Sequence, residues 1–252
     1  MEISLAPELL FDIFGFPVTN SFFTTVLVVF CIIIASFVLS RKISQKPKGF
    51  QNLVEFVLES ILNLADNVTG SRKKSKKFFP LVATIFILVI ISNWAGLIPA
   101  LIPGGTLGIN EIHHGEKVLI PFIRSGSADL NMTLSIALIS VIAAQIMGVA
   151  MIGGKHYAGK FFVSPLKKPY FIGTFVGILE IISEFAKIIS FSFRLFGNVF
   201  AGEVLLTVML MLVPYFAPLP FLFLEIFVGF VQALVFSMLT LVFLKMATET
   251  AH

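Results

Sequence analysis

Ionisable side chains cluster inside the last two apolar stretches of the chain, at Glu180, Glu184, Lys187, Arg194, Glu203 and Glu225. A charge at bilayer depth costs roughly 2.5 to 3.5 kcal/mol on insertion scales, so such residues face a bundle interior, a watery cavity or a partner. Carboxylates in a low-dielectric setting can exchange protons near neutral pH. Arginine keeps its proton, so it can bar a direct leak and attract a carboxylate on a moving partner. The set reads as proton-moving chemistry. No phosphate loop, nucleophile elbow or zinc helix is present, and no catalytic centre, cofactor or metal site is expected.

Spacing sorts these residues. Glu180, Glu184, Lys187, Phe191, Arg194 and Asn198 recur at three and four, which lays them along one helical stripe. Glu203 lies nine positions beyond Arg194, half a turn away at about 100° per residue. Gln232 follows Glu225 by seven and shares its face. An acidic pair at one end and an acidic group at the other, with arginine between, describe two half-pathways. Other readings stay open. Glu180, Glu184 and Lys187 also fit an interfacial salt-bridged turn, and Asn198 and Gln232 fit simple ties between helices.

The elements that must carry these residues follow from composition. The chain has 252 residues, 57% hydrophobic and 13% charged, with mean hydropathy +0.99; soluble domains carry about 25% charged residues. A single all-α polytopic membrane domain, 1–252, is expected. Runs of about 20 apolar residues span a bilayer, which gives 21–40, 78–98 and 130–152. The longer segments 171–213 and 218–247 follow, with Pro214, Pro218 and Pro220 at the turn. At about 1.5 Å per residue, 171–213 would reach roughly 64 Å, so this hairpin must be steeply tilted or bent.

Arg and Lys set the direction. None occurs in 1–20 or 214–220. Arg41, Lys42, Lys46, Lys48, Arg72, Lys73, Lys74, Lys76 and Lys77 crowd 41–77; Lys117 and Arg124 alone occupy 99–129; Lys155, Lys160, Lys167 and Lys168 occupy 153–170. The alternation predicts five spans, with the N-terminal segment outside as part of a retained anchor and the C-terminus inside. The positive charge thus belongs to membrane orientation rather than to nucleic-acid binding. Residues 50–64 are amphipathic, through Phe50, Leu53, Val54, Val57, Ile61 and Leu64. They suit either the inner membrane surface or packing on the protein itself. The Gly- and Pro-rich connection 99–129 reads as an irregular loop, with His113 and His114 as solvated residues. Cys31 reads as a buried apolar residue.

The run from Ser192 through Arg194, Gly197, Asn198 and Gly202 to Glu203 resembles the signature of subunit a of F-type ATP synthases. So do Ala128-Asp129-Leu130-Asn131, Asn93-Trp94 through Pro99, and Gln232 to Phe236, in order along nearly the whole chain. The resemblance implies a stationary proton channel in a bacterial plasma membrane, beside a rotating c-subunit ring. Other implied partners are the b-subunit peripheral stalk, the remaining synthase subunits, lipid and protons. It assigns Arg194 to the ring carboxylates, and Glu203 and Glu225 to the outer half-channel. Asn198 and Gln232 fall beside the arginine, and Glu180 in the inner half-channel. Ser183 and Ser190 are weaker carry-overs, and Asp129 and Asn131 fall at the outer entrance. The rival is a stand-alone ion-coupled transporter, although no internal repeat is visible.

Overall fold

A computed structural model describes residues 6–41, 43–46, 49–101, 108–113, 116–154, 157, 172–213, 216 and 218–249. Lys42, Lys48, His114, Lys155, Lys160, Lys167, Lys168 and Pro214, used above for orientation, loops and turns, lie outside the described residues.

The chain opens on a small antiparallel hairpin, β1 (Leu9–Ile13) and β2 (Phe16–Thr19). Phe14 and Gly15 take positive φ in its turn. Helix α1 (Asn20–Arg41) follows directly. Helix α2 (Phe50–Thr69) ends at Gly70, whose left-handed backbone donates its N–H to the Asp66 carbonyl. Helix α3 (Arg72–Ala95) begins six residues before the apolar run, so its first turns carry the lysine cluster. A single turn α4 (Ile98–Leu101) comes next. The connection expected to be irregular contains a second hairpin, β3 (Gly108–His113) and β4 (Glu116–Pro121). Ile109, Ile112, Val118 and Ile120 supply β-branched residues among its polar ones, a pattern masked in sequence by the flanking glycines and prolines. A 3-10 turn (Gly126–Ala128) then leads into α5 (Leu130–Ile152), α6 (Ile172–Leu212) and α7 (Pro218–Thr248).

Five of these helices, α1, α3, α5, α6 and α7, are long and apolar enough to cross a membrane. Among the described residues two short hairpins stand beside them, and the chain is an all-α integral membrane protein. Helix α7 is the centre of the bundle, packed on α3, α5 and α6, while α5 also packs along α6. The core joins Phe78, Val82 and Val89 of α3 to Leu195 of α6 and to Phe236, Leu241 and Leu244 of α7. Phe191 stacks on Phe236 with ring centroids 3.8 Å apart. Helix α1 lies at the margin; Cys31, expected to be buried, is exposed there on an apolar face. Lipid rather than water suits that face.

The amphipathic segment divides. Ile61, Ala65 and Thr69 of α2 are buried, and α2 packs on α3 and α7. Phe50, Leu53 and Phe56 remain 57–71% exposed. The second half of the helix therefore packs on the protein, and the first half presents an uncovered apolar face.

Candidate functional site

Helix α6 is 41 residues long, about 60 Å at 1.5 Å per residue, and its ionisable residues meet different surroundings along it. Near its beginning, Lys187 Nζ lies 2.7 Å from Glu184 Oε1, an i,i+3 pair. The same ammonium sits 5.4 Å from the Phe243 ring centroid. Glu180 is half-buried one turn earlier, and Ser183 and Ser190 are exposed. Tyr157 packs against this end of the bundle and directs its hydroxyl to Gln145. Burial, and then the negative charges of Glu184 and Glu180, raise the Tyr157 phenol above its ordinary value.

The expected single stripe does not keep one environment. Phe191 is buried against α7, whereas Arg194, one turn on, is exposed. The difference of about 60° between three residues and a full turn is enough to move a side chain from the seam to the open face. Arg194 makes no hydrogen bond or ion pair with any described residue. Gly197 beside it has open space where a side chain would stand. Asn198, on the border of that face, donates from Nδ2 to Gln232 Oε1 at 2.8 Å, joining α6 to α7. The other Gln232 group, Nε2, is buried without a partner.

The opposite side of α6 is built differently. Glu203 and Glu225 line one cavity of about 390 Å³, together with Arg124 and Asn93. Arg124 Nε is 2.9 Å from Glu203 Oε1, and its Nη1 donates to the Ala6 carbonyl at 3.1 Å. Glu225 is buried on α7 beside Gly202 and makes no ion pair with any described residue. Asn93 donates from Nδ2 to the Gly229 carbonyl at 3.1 Å, and its Oδ1 is buried without a partner. Gly229 falls between Glu225 and Gln232 on α7. The cavity wall includes the two acids and Asn93, while Gln232 and Asn198 are not part of it. The unpartnered buried amide atoms of Asn93 and Gln232 fit water or a passing polar group.

Asp129 and Asn131 stand apart from the cavity walls. Asp129 Oδ1 accepts the Asn131 N–H at 2.9 Å and so caps α5. Ser192 Oγ and Thr133 Oγ1, 3.0 Å apart, tie α6 to α5. No group of three metal-binding side chains occurs among the described residues. Sequence reasoning gave Arg124 only a place in the loop-charge balance; its pairing with Glu203 spans 79 positions and left no local signal. Gly202 was visible as part of a motif, but its contact with Glu225 was not.

The molecule is thus a polytopic membrane protein with a cavity holding two acids and an arginine on one side of a long helix and, on another side, an arginine with no partner among the described residues. A family model described as ATP synthase A chain matches residues 21–245. The chain is 35% identical over 233 residues to ATP synthase subunit a of Campylobacter jejuni subsp. jejuni strain 81-176, covering 92% of each chain. It has the same identity and coverage with the protein of that name from strain ATCC 700819 / NCTC 11168. Against that of Campylobacter jejuni subsp. doylei, identity is 34% over the same share. The chain belongs to the ATP synthase A chain family, as a membrane-sector subunit.

Proposed function

We propose that the chain is the stationary, non-catalytic proton-conducting subunit of a rotary F-type ATP synthase, with two offset half-channels serving a rotating c-ring. The observation that carries this reading is the division of charge on α6. Arg194 is exposed and unpaired, while Glu203, half a turn away, shares a cavity with Glu225. A proton enters past Glu203 and Glu225 and follows Gln232 and Asn198 to a ring carboxylate. The neutral carboxylate turns through lipid. It returns to Arg194, whose permanent charge draws out the carboxylate and blocks a direct leak. The proton leaves past Glu180, with Ser183 and Ser190 along that exposed face; Asp129 and Asn131 belong to the intake end. Each proton crossing 100 mV supplies about 2.3 kcal/mol, spent on rotation while separate soluble subunits make ATP.

In this reading the whole chain is one membrane domain in a bacterial plasma membrane, N-terminus outside and C-terminus cytoplasmic. The lysine-rich end faces the cytoplasm, as positive charge favours. The c-ring meets the exposed face of α6, and the b-subunit stalk and remaining subunits complete the complex. ATP-driven proton uptake by inverted vesicles tests it, comparing wild type with Arg194→Ala and checking assembly by co-purification of ring and soluble head. Uptake lost in an assembled variant supports the arginine barrier. Normal uptake in that variant sinks the mechanism.

A further inference from the structure

The cavity holds two carboxylates, and only one has a cation among the described residues. Arg124, 6% exposed, reaches Glu203 through Nε at 2.9 Å from Oε1 and 3.2 Å from Oε2. Glu225 across the same cavity has no ion pair with any described residue. The arginine comes from neither helix of the pair; it stands on the loop just before α5.

That loop is held unusually close to the bundle. A Cβ built on Gly96 would strike Ser125, and one built on Gly126 would strike Thr25 and Ser92. Two glycines therefore allow the backbone to sit where side chains would forbid it. Thr24, fully buried on α1, accepts the Arg124 N–H on Oγ1 at 3.1 Å. Ser125 Oγ donates to the Ser92 carbonyl at 3.2 Å. At the far end of the side chain, the Ala6 carbonyl accepts from Nη1 at 3.1 Å. Arg124 is thus held at its backbone and at its guanidinium before it meets the carboxylate, which is the condition for precise placement of a charged group.

We propose that Arg124 is a positioning residue for proton intake: anchored to α1, α3 and the N-terminal segment, it holds the Glu203 carboxylate at the cavity wall and balances its charge, leaving Glu225 as the uncompensated acid. The proposal rests on the proton-channel reading above. It makes Glu203 and Glu225 unequal partners although both are glutamates. A partly buried carboxylate that loses its cation is disfavoured in that place and tends to move away from it. Proton transfer along the cavity then loses its fixed first station.

The test uses inverted vesicles carrying the assembled complex with Arg124→Gln, Arg124→Lys and Thr24→Val. Arg124→Gln is expected to lower ATP-driven proton uptake about tenfold, the scale on which a lost supporting contact or a small misplacement acts. Arg124→Lys, which keeps the cation, should recover most of the rate. Thr24→Val removes one anchor of the loop backbone but keeps the guanidinium, and should lower uptake less than Arg124→Gln does. Normal uptake in Arg124→Gln overturns the proposal. So does an equal loss in all three variants, since Arg124 would then be part of a scaffold only. Should Arg124→Gln fail to assemble, the doubly neutral Arg124→Gln/Glu203→Gln complex decides. Its assembly shows that the uncompensated carboxylate was at fault, and its failure overturns the proposal. Wild-type vesicles that take up no protons would instead sink the channel reading itself.

Discussion

The carboxylate of Glu225 occupies the space where a side chain at position 202 would stand. A Cβ built on Gly202 overlaps the carboxyl carbon and both oxygens of Glu225. Glycine inside a helix costs about 1 kcal/mol relative to alanine, yet here it lets α6 and α7 bring their acids to one cavity. Gly202→Ala is therefore expected to lower the thermal stability of the purified complex despite its better helix propensity, because overpacking costs about 1 to 3 kcal/mol. Proton uptake should fall with it as Glu225 is displaced. Gly197 is the internal contrast: nothing lies within 4 Å of a Cβ there, so in the purified chain without partners Gly197→Ala should keep or raise stability. Equal thermal shifts in the two variants would contradict the packing argument.

The Asn198–Gln232 hydrogen bond should show as a coupling between α6 and α7. Its length is 2.8 Å, and interhelical bonds of this kind contribute about 0.6 kcal/mol on average, reaching about 1.7. Asn198→Ala and Gln232→Ala, singly and together, give a double-mutant cycle read by unfolding in mixed micelles. The double variant should lose less than the two singles added. Strict additivity would mean that the bond is absent in the membrane.

Tyr157 predicts an alkaline effect. Burial first, and then the charges of Glu184 and Glu180, raise its phenol above 10.0 and favour the neutral form in the folded chain. The stabilisation is complete below the ordinary phenol value and is lost as pH rises through the raised folded value. Tyr157→Phe has no such proton to lose. Its stability should decline less steeply above about pH 10 than that of wild type, the ordinary phenol range. At neutral pH it should be lower, through loss of the bond to Gln145. Parallel alkaline declines by circular dichroism would remove Tyr157 as the source.

The five long helices were legible because apolar runs of bilayer length are local. Leu130–Ile152 has no Asp, Glu, Lys or Arg to obscure it, and Ile172–Leu212 keeps its apolar character around its scattered charges. The hairpin Gly108–Pro121 was not legible, since its short β-branched runs sit between glycine and proline signals of irregular loop. The stripe through Glu180, Phe191 and Arg194 was legible as a periodicity. Its members meet different surroundings, because each faces whichever neighbour α7 or α5 places beside it.

By itself the sequence determined that the chain is a membrane protein, that its ionisable residues concentrate in the last two spans, and that Arg194 and Glu203 point apart. Those follow from hydropathy and from the fixed angle per residue of a helix. The tertiary structure alone decided which acid receives a cation and which has none among the described residues. Arg124 and Glu203 are 79 residues apart, as are no two members of a local pattern. Gly202 and Glu225 lie on different helices. Such pairings depend on how closely three packed helices and a clamped loop approach, a quantity set by side-chain volumes across the whole bundle rather than by any one segment.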